Sequence, residues 1–143
     1  MRCVPQTTLW IGAARHARDS SGLASNGIRA VVDLAVNEAP ASPARELVYC
    51  RIPLYDGAGN DPELLDLALS TIARMLNLQI PVLVACSMGM SRAPAIAAGA
   101  LALAHGAEPA HALLRVTTGG GADVSPALWA AVVQSVERIR AKV

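Results

Sequence analysis

The residues of this chain with evident chemistry are Cys86 and Arg92, separated by Ser87-Met88-Gly89-Met90-Ser91. A cysteine, a run of small or flexible residues and an arginine, in that order, make a phosphate cradle with a nucleophile at its base. Before the cysteine, Pro81 opens the apolar run Val82-Leu83-Val84-Ala85, which suits a buried parallel strand. After it, Arg92-Ala93-Pro94-Ala95-Ile96-Ala97-Ala98 suits the first turns of a helix with its proline near the start. The loop therefore joins a strand to a helix N-terminus. There the backbone N–H groups from Ser87 to Arg92 lack helical partners and, with the positive end of the helix dipole, converge on an anion. Gly89 permits the bend, and the Arg92 guanidinium adds a bidentate clamp on phosphate oxygens. The same field favours thiolate over thiol, which makes Cys86 a nucleophile at neutral pH.

Two other readings of this stretch stand beside that one. Ala85-Cys86-Ser87-Met88-Gly89 is similar to the G-x-S-x-G nucleophile elbow of serine hydrolases, with Ser87 as nucleophile and alanine for the first glycine. It requires an acid and a histidine downstream, and the histidines there, His105 and His111, fall in segments that read as helical. The plainer reading makes Cys86 a buried small hydrophobe ending a strand, and leaves Gly89 and Arg92 at matched spacing without explanation.

Cys86-x5-Arg92 resembles the signature loop of the cysteine-dependent protein tyrosine phosphatase superfamily, and the surrounding chain is similar to its small dual-specificity branch. The similarity runs through Leu9-Trp10-Ile11-Gly12, Gly27-Ile28-Arg29-Ala30-Val31-Val32-Asp33-Leu34 and Ile52-Pro53-Leu54-Tyr55-Asp56 to the loop itself. It implies an aspartate on a separate loop, about thirty residues ahead of the cysteine, that protonates the leaving oxygen and later activates water. Asp56 stands thirty positions before Cys86, between the apolar run Leu47 to Leu54 and the flexible Gly57-Ala58-Gly59. Asp61 is the competitor, but Asp61-Pro62-Glu63 reads as an N-cap with proline at the first helical position, which favours Asp56 as general acid. Two positions depart from the family pattern. Ala85 stands where histidine usually precedes the cysteine, and Ala93 where serine or threonine usually follows the arginine and hydrogen-bonds the departing sulfur. Both bear on rate more than on chemistry, and Ser87 and Ser91 are candidates for a compensating hydroxyl.

The resemblance implies phosphomonoester hydrolysis in two steps without metal or cofactor. Cys86 attacks phosphorus held by the amides of Ser87, Met88, Gly89, Met90 and Ser91 and by Arg92, Asp56 protonates the leaving oxygen, and water releases phosphate from the cysteine. Phosphotyrosine in a protein is the default substrate, with phosphoserine, phosphothreonine or a small non-protein phosphomonoester as alternatives. A reading from another class is a phosphate-binding module that has lost efficient turnover, motivated by Ala85 and Ala93. A sulfurtransferase usually has a shorter loop, and an arsenate reductase needs resolving cysteines better placed than Cys3 and Cys50.

Composition bounds the rest. At 143 residues and 53% hydrophobic content, the chain reads as one domain, 1–143, with enough apolar material for a core built from Leu, Val, Ile and Ala, since aromatics are 3% and Phe is absent. Twelve basic and eleven acidic residues give net charge +1, so there is no global electrostatic case for nucleic acid or an anionic membrane. Met1-Arg2-Cys3-Val4-Pro5 lacks the apolar run of a signal peptide, and Ala93 to Ala104 is too short to span a bilayer. Three cysteines without C-x-x-C spacing fit a reducing, cytoplasmic setting. A protective disulfide between oxidised Cys86 and Cys3 or Cys50 would need Cα atoms within about 7 Å. A monomer is the default.

Strand and helix signals alternate, which argues for a single α/β domain with a mostly parallel sheet of four to five strands flanked by helices. Strands are expected at Leu9–Gly12, Ile28–Ala35, Leu47–Pro53 and Ile80–Ala85, and helices before Asn26-Gly27, over Asp61–Asn77, after the loop, over Pro109–Val116 and over Ser125–Arg140. In such a sheet the loops at the carboxyl ends of the strands meet: Ala13–Arg18, Val36–Ser42, Asp56–Asn60 and Cys86–Arg92. Arg15 and Arg18 are candidates for the rim, Asn37 and Glu38 for the pocket wall, Met88 and Met90 for contact with the leaving group, and Gly119-Gly120-Gly121 for a nearby flap.

Overall fold

Val82, Val84 and Cys86 face one hydrophobic cluster, and Leu83 and Ala85 another. This is the two-residue period of a strand buried on both faces. That strand is β5 (Val82–Cys86), the centre of a five-stranded sheet in the computed structural model, which describes residues 1–142. Along the chain come β1 (Arg2–Cys3), β2 (Leu9–Ala13), α1 (Ala14–Ala17), α2 (Ser20–Ser25), β3 (Ala30–Ala35), β4 (Val48–Leu54), α3 (Pro62–Asn77), β5, α4 (Arg92–His105), α5 (Pro109–Thr117) and α6 (Pro126–Ala141). The spatial order is β1-β2-β5-β3-β4. Every pairing is parallel except that of β1 with β2.

The four expected strands are present with ends displaced by one or two residues. The fifth, β1, is a two-residue antiparallel edge too short to leave a periodic signal. The Ala13–Arg18 segment, expected as loop, contains the turn α1. Ala13 N donates to His16 Nδ1 at 2.8 Å, so the imidazole caps a helix that begins without Ser, Thr, Asp or Asn. Asp61 caps α3 as expected, accepting from Glu63 N at 2.9 Å, and Ser125 caps α6, accepting from Leu128 N at 3.3 Å, each with proline at the next position.

Helices α3, α4, α5 and α6 cover one face of the sheet, and α1 and α2 the other. Helix α4 is buried almost throughout and Ala-rich, which lets α3 and α6 pack against it closely. A Cβ at Gly99 would meet Val132 Cγ1 at 2.6 Å and Leu69 Cδ2 at 2.7 Å, so a side chain there would force the layer apart. An Asp66–Arg138 ion pair at 2.7 Å ties α3 to α6, with the buried Ser135 hydroxyl donating to the same carboxylate.

Sheet order also decides the disulfide. Cys3 pairs with Trp10 across β1–β2, and Cys50 with Val32 across β3–β4, so each lies two strands from Cys86. At about 4.8 Å per strand that is a separation of about 9–10 Å, beyond disulfide reach. Neither cysteine can protect Cys86 in this fold.

Candidate functional site

The carboxyl end of β5 delivers Cys86, 2% exposed, and six residues later α4 begins with Arg92, 7% exposed. Between them, the backbone N–H groups of Ser87 to Ser91 donate to no protein acceptor among the described residues. Their carbonyls are engaged on the outer side instead: Ser87 O accepts from Ala14 N at 3.3 Å, and Met90 O from Asp123 N at 2.7 Å. This division leaves the donor side of the loop for an anion. Gly89 makes it possible in two ways. Its φ of +73° lies in the left-handed region, and a Cβ there would sit 2.9 Å from the backbone carbon and oxygen of Gly12.

Ser91 stands at the N-cap position of α4 but its side chain makes no cap. The helix's first turn therefore keeps donors for the site, and Ala93 N donates to Cys86 Sγ at 3.3 Å. That contact aims a first-turn donor of the helix at the sulfur. The Ser91 hydroxyl turns the other way. It donates to Asp56 Oδ1 at 2.5 Å and accepts from Ser125 N at 2.9 Å. It thus couples the acid-bearing loop after β4 to the start of α6.

Arg92 is held by Nη1, which donates to Leu54 O and to Asn37 Oδ1, both at 3.0 Å. Its Nε and Nη2 have no protein partner among the described residues, which leaves one edge of the guanidinium fork for a ligand. Asn37 reaches Arg92 because the segment after β3 is pinned from β4. Tyr49 donates to the buried Asp33 at 2.5 Å and accepts from Ala41 N at 3.1 Å, and Arg51 donates to Glu38 O at 2.8 Å. Burial, and then the Asp33 hydrogen bond, raises the Tyr49 hydroxyl above the usual phenol range, so it remains a donor.

A cavity of about 240 Å³ results, lined by Asp56, Cys86, Ser87, Met88, Met90, Ser91, Arg92 and Asp123. Every residue expected to bind or transform phosphate lines this cavity or the loop behind it. Asp61 caps α3 and is absent from the lining. The serine-hydrolase alternative fails, since no histidine lines the cavity and His105 instead contacts Arg115 at an exposed site. Cys86 belongs to the core cluster and lines this cavity as well, which simple core filler does not explain. Arg18 pairs with Glu38 at 3.6 Å, and Glu38 also receives a long contact from the Ser87 hydroxyl at 3.5 Å. Met88 and Met90 are 71% and 39% exposed and stand at the mouth. The glycine run approaches the site through Gly121, whose Cβ would meet Met90 Cε at 3.4 Å. Ala14, Asp123 and Ser125 support the site through contacts that the sequence does not predict. Asp123 and Ser125 act from more than thirty residues away through backbone groups, which carry no residue-type signal.

An open, mostly parallel sheet with a Cys-x5-Arg loop between its central strand and the following helix defines the small dual-specificity phosphatase fold. Residues 10–107 match the family described as "Tc-R-P: Polymorphic toxin system, DSP-PTPase phosphatase", and the chain belongs to that family. In fold it is similar to human DUSP28, with TM-score 0.83 and 23% identity over 96% of each chain. DUSP15 superimposes with TM-score 0.76 and 18% identity over 99% of this chain and 93% of that one. PTPMT1 in complex with PI(5)P does so with TM-score 0.77 and 16% identity over 99% and 97%. No curated protein matches the sequence.

Proposed function

We propose that this protein hydrolyses phosphomonoesters through a cysteinyl-phosphate intermediate, with protein phosphotyrosine as its leading substrate. The observation that carries the proposal is the run of unpartnered amides from Ser87 to Ser91 around Cys86, closed by the free edge of Arg92. Phosphate enters with its oxygens on these donors and its phosphorus in line with the thiolate. As the S–P bond forms and the P–O bond breaks, Asp56 gives its proton to the leaving oxygen; as a base, it then takes one from the water that attacks the phosphocysteine. In this arrangement Ser91 holds the Asp56 carboxyl at the cavity edge. Met88 and Met90 at the mouth suit an aryl leaving group, since thioether side chains pack favourably against rings. A reducing compartment such as cytoplasm, whether of the producing cell or of a cell that receives the protein, keeps Cys86 in the reactive form. The polymorphic toxin description of the family supports the second setting.

A second reading, a phosphate-binding module with little turnover, is favoured by Ala93. It is fully buried and offers the sulfur only a backbone N–H where the family pattern supplies a hydroxyl. Hydrolysis of phenyl phosphate from pH 5 to 8 in EDTA, by the native chain, Cys86→Ser and Asp56→Asn, separates the two. Turnover abolished by the first change and sharply reduced by the second supports the enzyme. Phosphate-analogue binding without turnover above the Cys86→Ser background supports the module.

A further inference from the structure

Asp56, the general acid of the proposed reaction, sits on a segment with little packing. Tyr55, Asp56, Ala58 and Gly59 are exposed, and an added Cβ at Gly57 or Gly59 would find no atom within 4 Å. Burial therefore does not fix where Asp56 points, and hydrogen bonds must do so. One of them is local. Gly57 N donates to Tyr55 O at 3.1 Å, which makes Asp56 the central residue of a three-residue turn.

The tie that holds this turn is Asn60. Its Oδ1 accepts from Tyr55 N at 2.7 Å, while its Nδ2 donates to Tyr55 O at 2.9 Å and to Gly57 O at 3.3 Å. One amide thus grips the residue before Asp56 at both of its backbone groups and the residue after it at its carbonyl. The set needs an acceptor and two donors on one short stem, and the partners fix which amide atom is which. Asn60 is itself anchored, because its neighbour Asp61 caps α3, and Leu65 of that helix is buried. The turn that carries the acid is thereby tied to the start of a core helix. From the other side, the Ser91 hydroxyl donates to the Asp56 carboxyl. Asn60 does not line the catalytic cavity, so it acts on the reaction through Asp56 alone.

We infer that Asn60 is a positioning residue for the proposed phosphatase reaction. It fixes the backbone on either side of Asp56, so that the carboxyl stands at the cavity edge before substrate arrives. The inference rests on the reading of Asp56 as general acid and adds a part that works only through it.

The test is a double-mutant cycle on kcat/KM. It is run with phenyl phosphate, whose leaving group needs a proton, and with para-nitrophenyl phosphate, whose leaving group departs largely without one. Asn60→Ala should lower phenyl phosphate hydrolysis about tenfold and para-nitrophenyl phosphate hydrolysis by less than about threefold. Asn60→Asp keeps the size and the acceptor but sets an oxygen against two carbonyl oxygens, so it should also lose about tenfold on phenyl phosphate. This second variant carries the test if the first fails to fold. In the Asp56→Asn background either substitution should change phenyl phosphate hydrolysis by less than about twofold, because the group being positioned is gone. Either variant at the native rate, equal losses on both substrates, or a loss undiminished in the Asp56→Asn background overturns the positioning role. Asp56→Asn alone judges the acid separately. A sharp loss there with an additive cycle removes the role of Asn60 only, whereas phenyl phosphate turnover that Asp56→Asn leaves intact removes the acid reading and the positioning role together.

Discussion

Alanine at Gly89 is the smallest change that should dismantle the phosphate cradle. Two penalties act together. At φ +73° an L-residue is disfavoured by about 1–2 kcal/mol. The new methyl would also stand 2.9 Å from Gly12 C and O, where ordinary contact begins at 3.4 Å, so two backbone segments must part by about half an ångström. Neither neighbour is a flexible side chain, so overpacking adds about 1–3 kcal/mol and a total loss of about 2–5 kcal/mol follows. For a chain of this size that is a melting-point drop of about 6–15 °C. The displaced amides are those that would hold the transferring phosphoryl group, and a misplacement approaching 1 Å costs about a hundredfold in rate, so kcat/KM for para-nitrophenyl phosphate should fall ten- to a hundredfold. Gly27→Ala is the control, with a similar φ of +70° but nothing within 4 Å of the added methyl. It should show the conformational cost in thermal denaturation and leave kcat/KM intact. If Gly89→Ala melts no lower than Gly27→Ala and keeps kcat/KM within threefold, the close approach to Gly12 does not shape the loop and the reasoning is wrong.

Other outcomes follow from the same geometry. Ser91→Ala removes a hydrogen bond to a carboxylate, a contribution of about 1.5–3 kcal/mol, and should slow hydrolysis of phenyl phosphate about tenfold or more while slowing para-nitrophenyl phosphate much less, because nitrophenolate departs without an acid. Equal losses on both substrates would separate Ser91 from the acid. Ala93→Ser should restore a hydroxyl beside the sulfur and speed phosphoenzyme breakdown; rapid mixing would show a smaller nitrophenol burst and a faster steady state than the native chain. The Arg138 hydrogen bond holds Asp66 below its ordinary value of 3.8, so the pair stabilises the fold above that pH and the contribution disappears as pH falls through the lowered value. Asp66→Asn should therefore melt lower than the native chain at pH 7, with the difference narrowing in acid titrations below pH 4. A gap that persists unchanged would mean the carboxylate's charge contributes nothing.

Much of this architecture is legible in the chain because it rests on local or periodic signals. The unbroken apolar run before Cys86 reads as a doubly buried strand, and the Asp-Pro and Ser-Pro pairs mark where α3 and α6 begin. Cys86, Gly89 and Arg92 are legible because their chemistry needs them within one loop. What does not show is the support brought from a distance. Ser91 reads as one more small loop residue until the fold sets Asp56 on one side of it and the Ser125 amide on the other. Asp123 and Ala14 act through backbone N–H groups, which any residue but proline supplies. His16 makes a helical turn where the residue types predict a loop, because a ring nitrogen replaces the usual capping oxygen.

The central claim is that a phosphoryl group passes through Cys86. Mass spectrometry of the native chain, acid-quenched within milliseconds of mixing with para-nitrophenyl phosphate in EDTA, should find one phosphoryl group on the peptide bearing Cys86, absent in Cys86→Ser and decaying as phosphate is released. Steady nitrophenol release that survives in Cys86→Ser, or a native chain that gives neither product nor adduct, would contradict it.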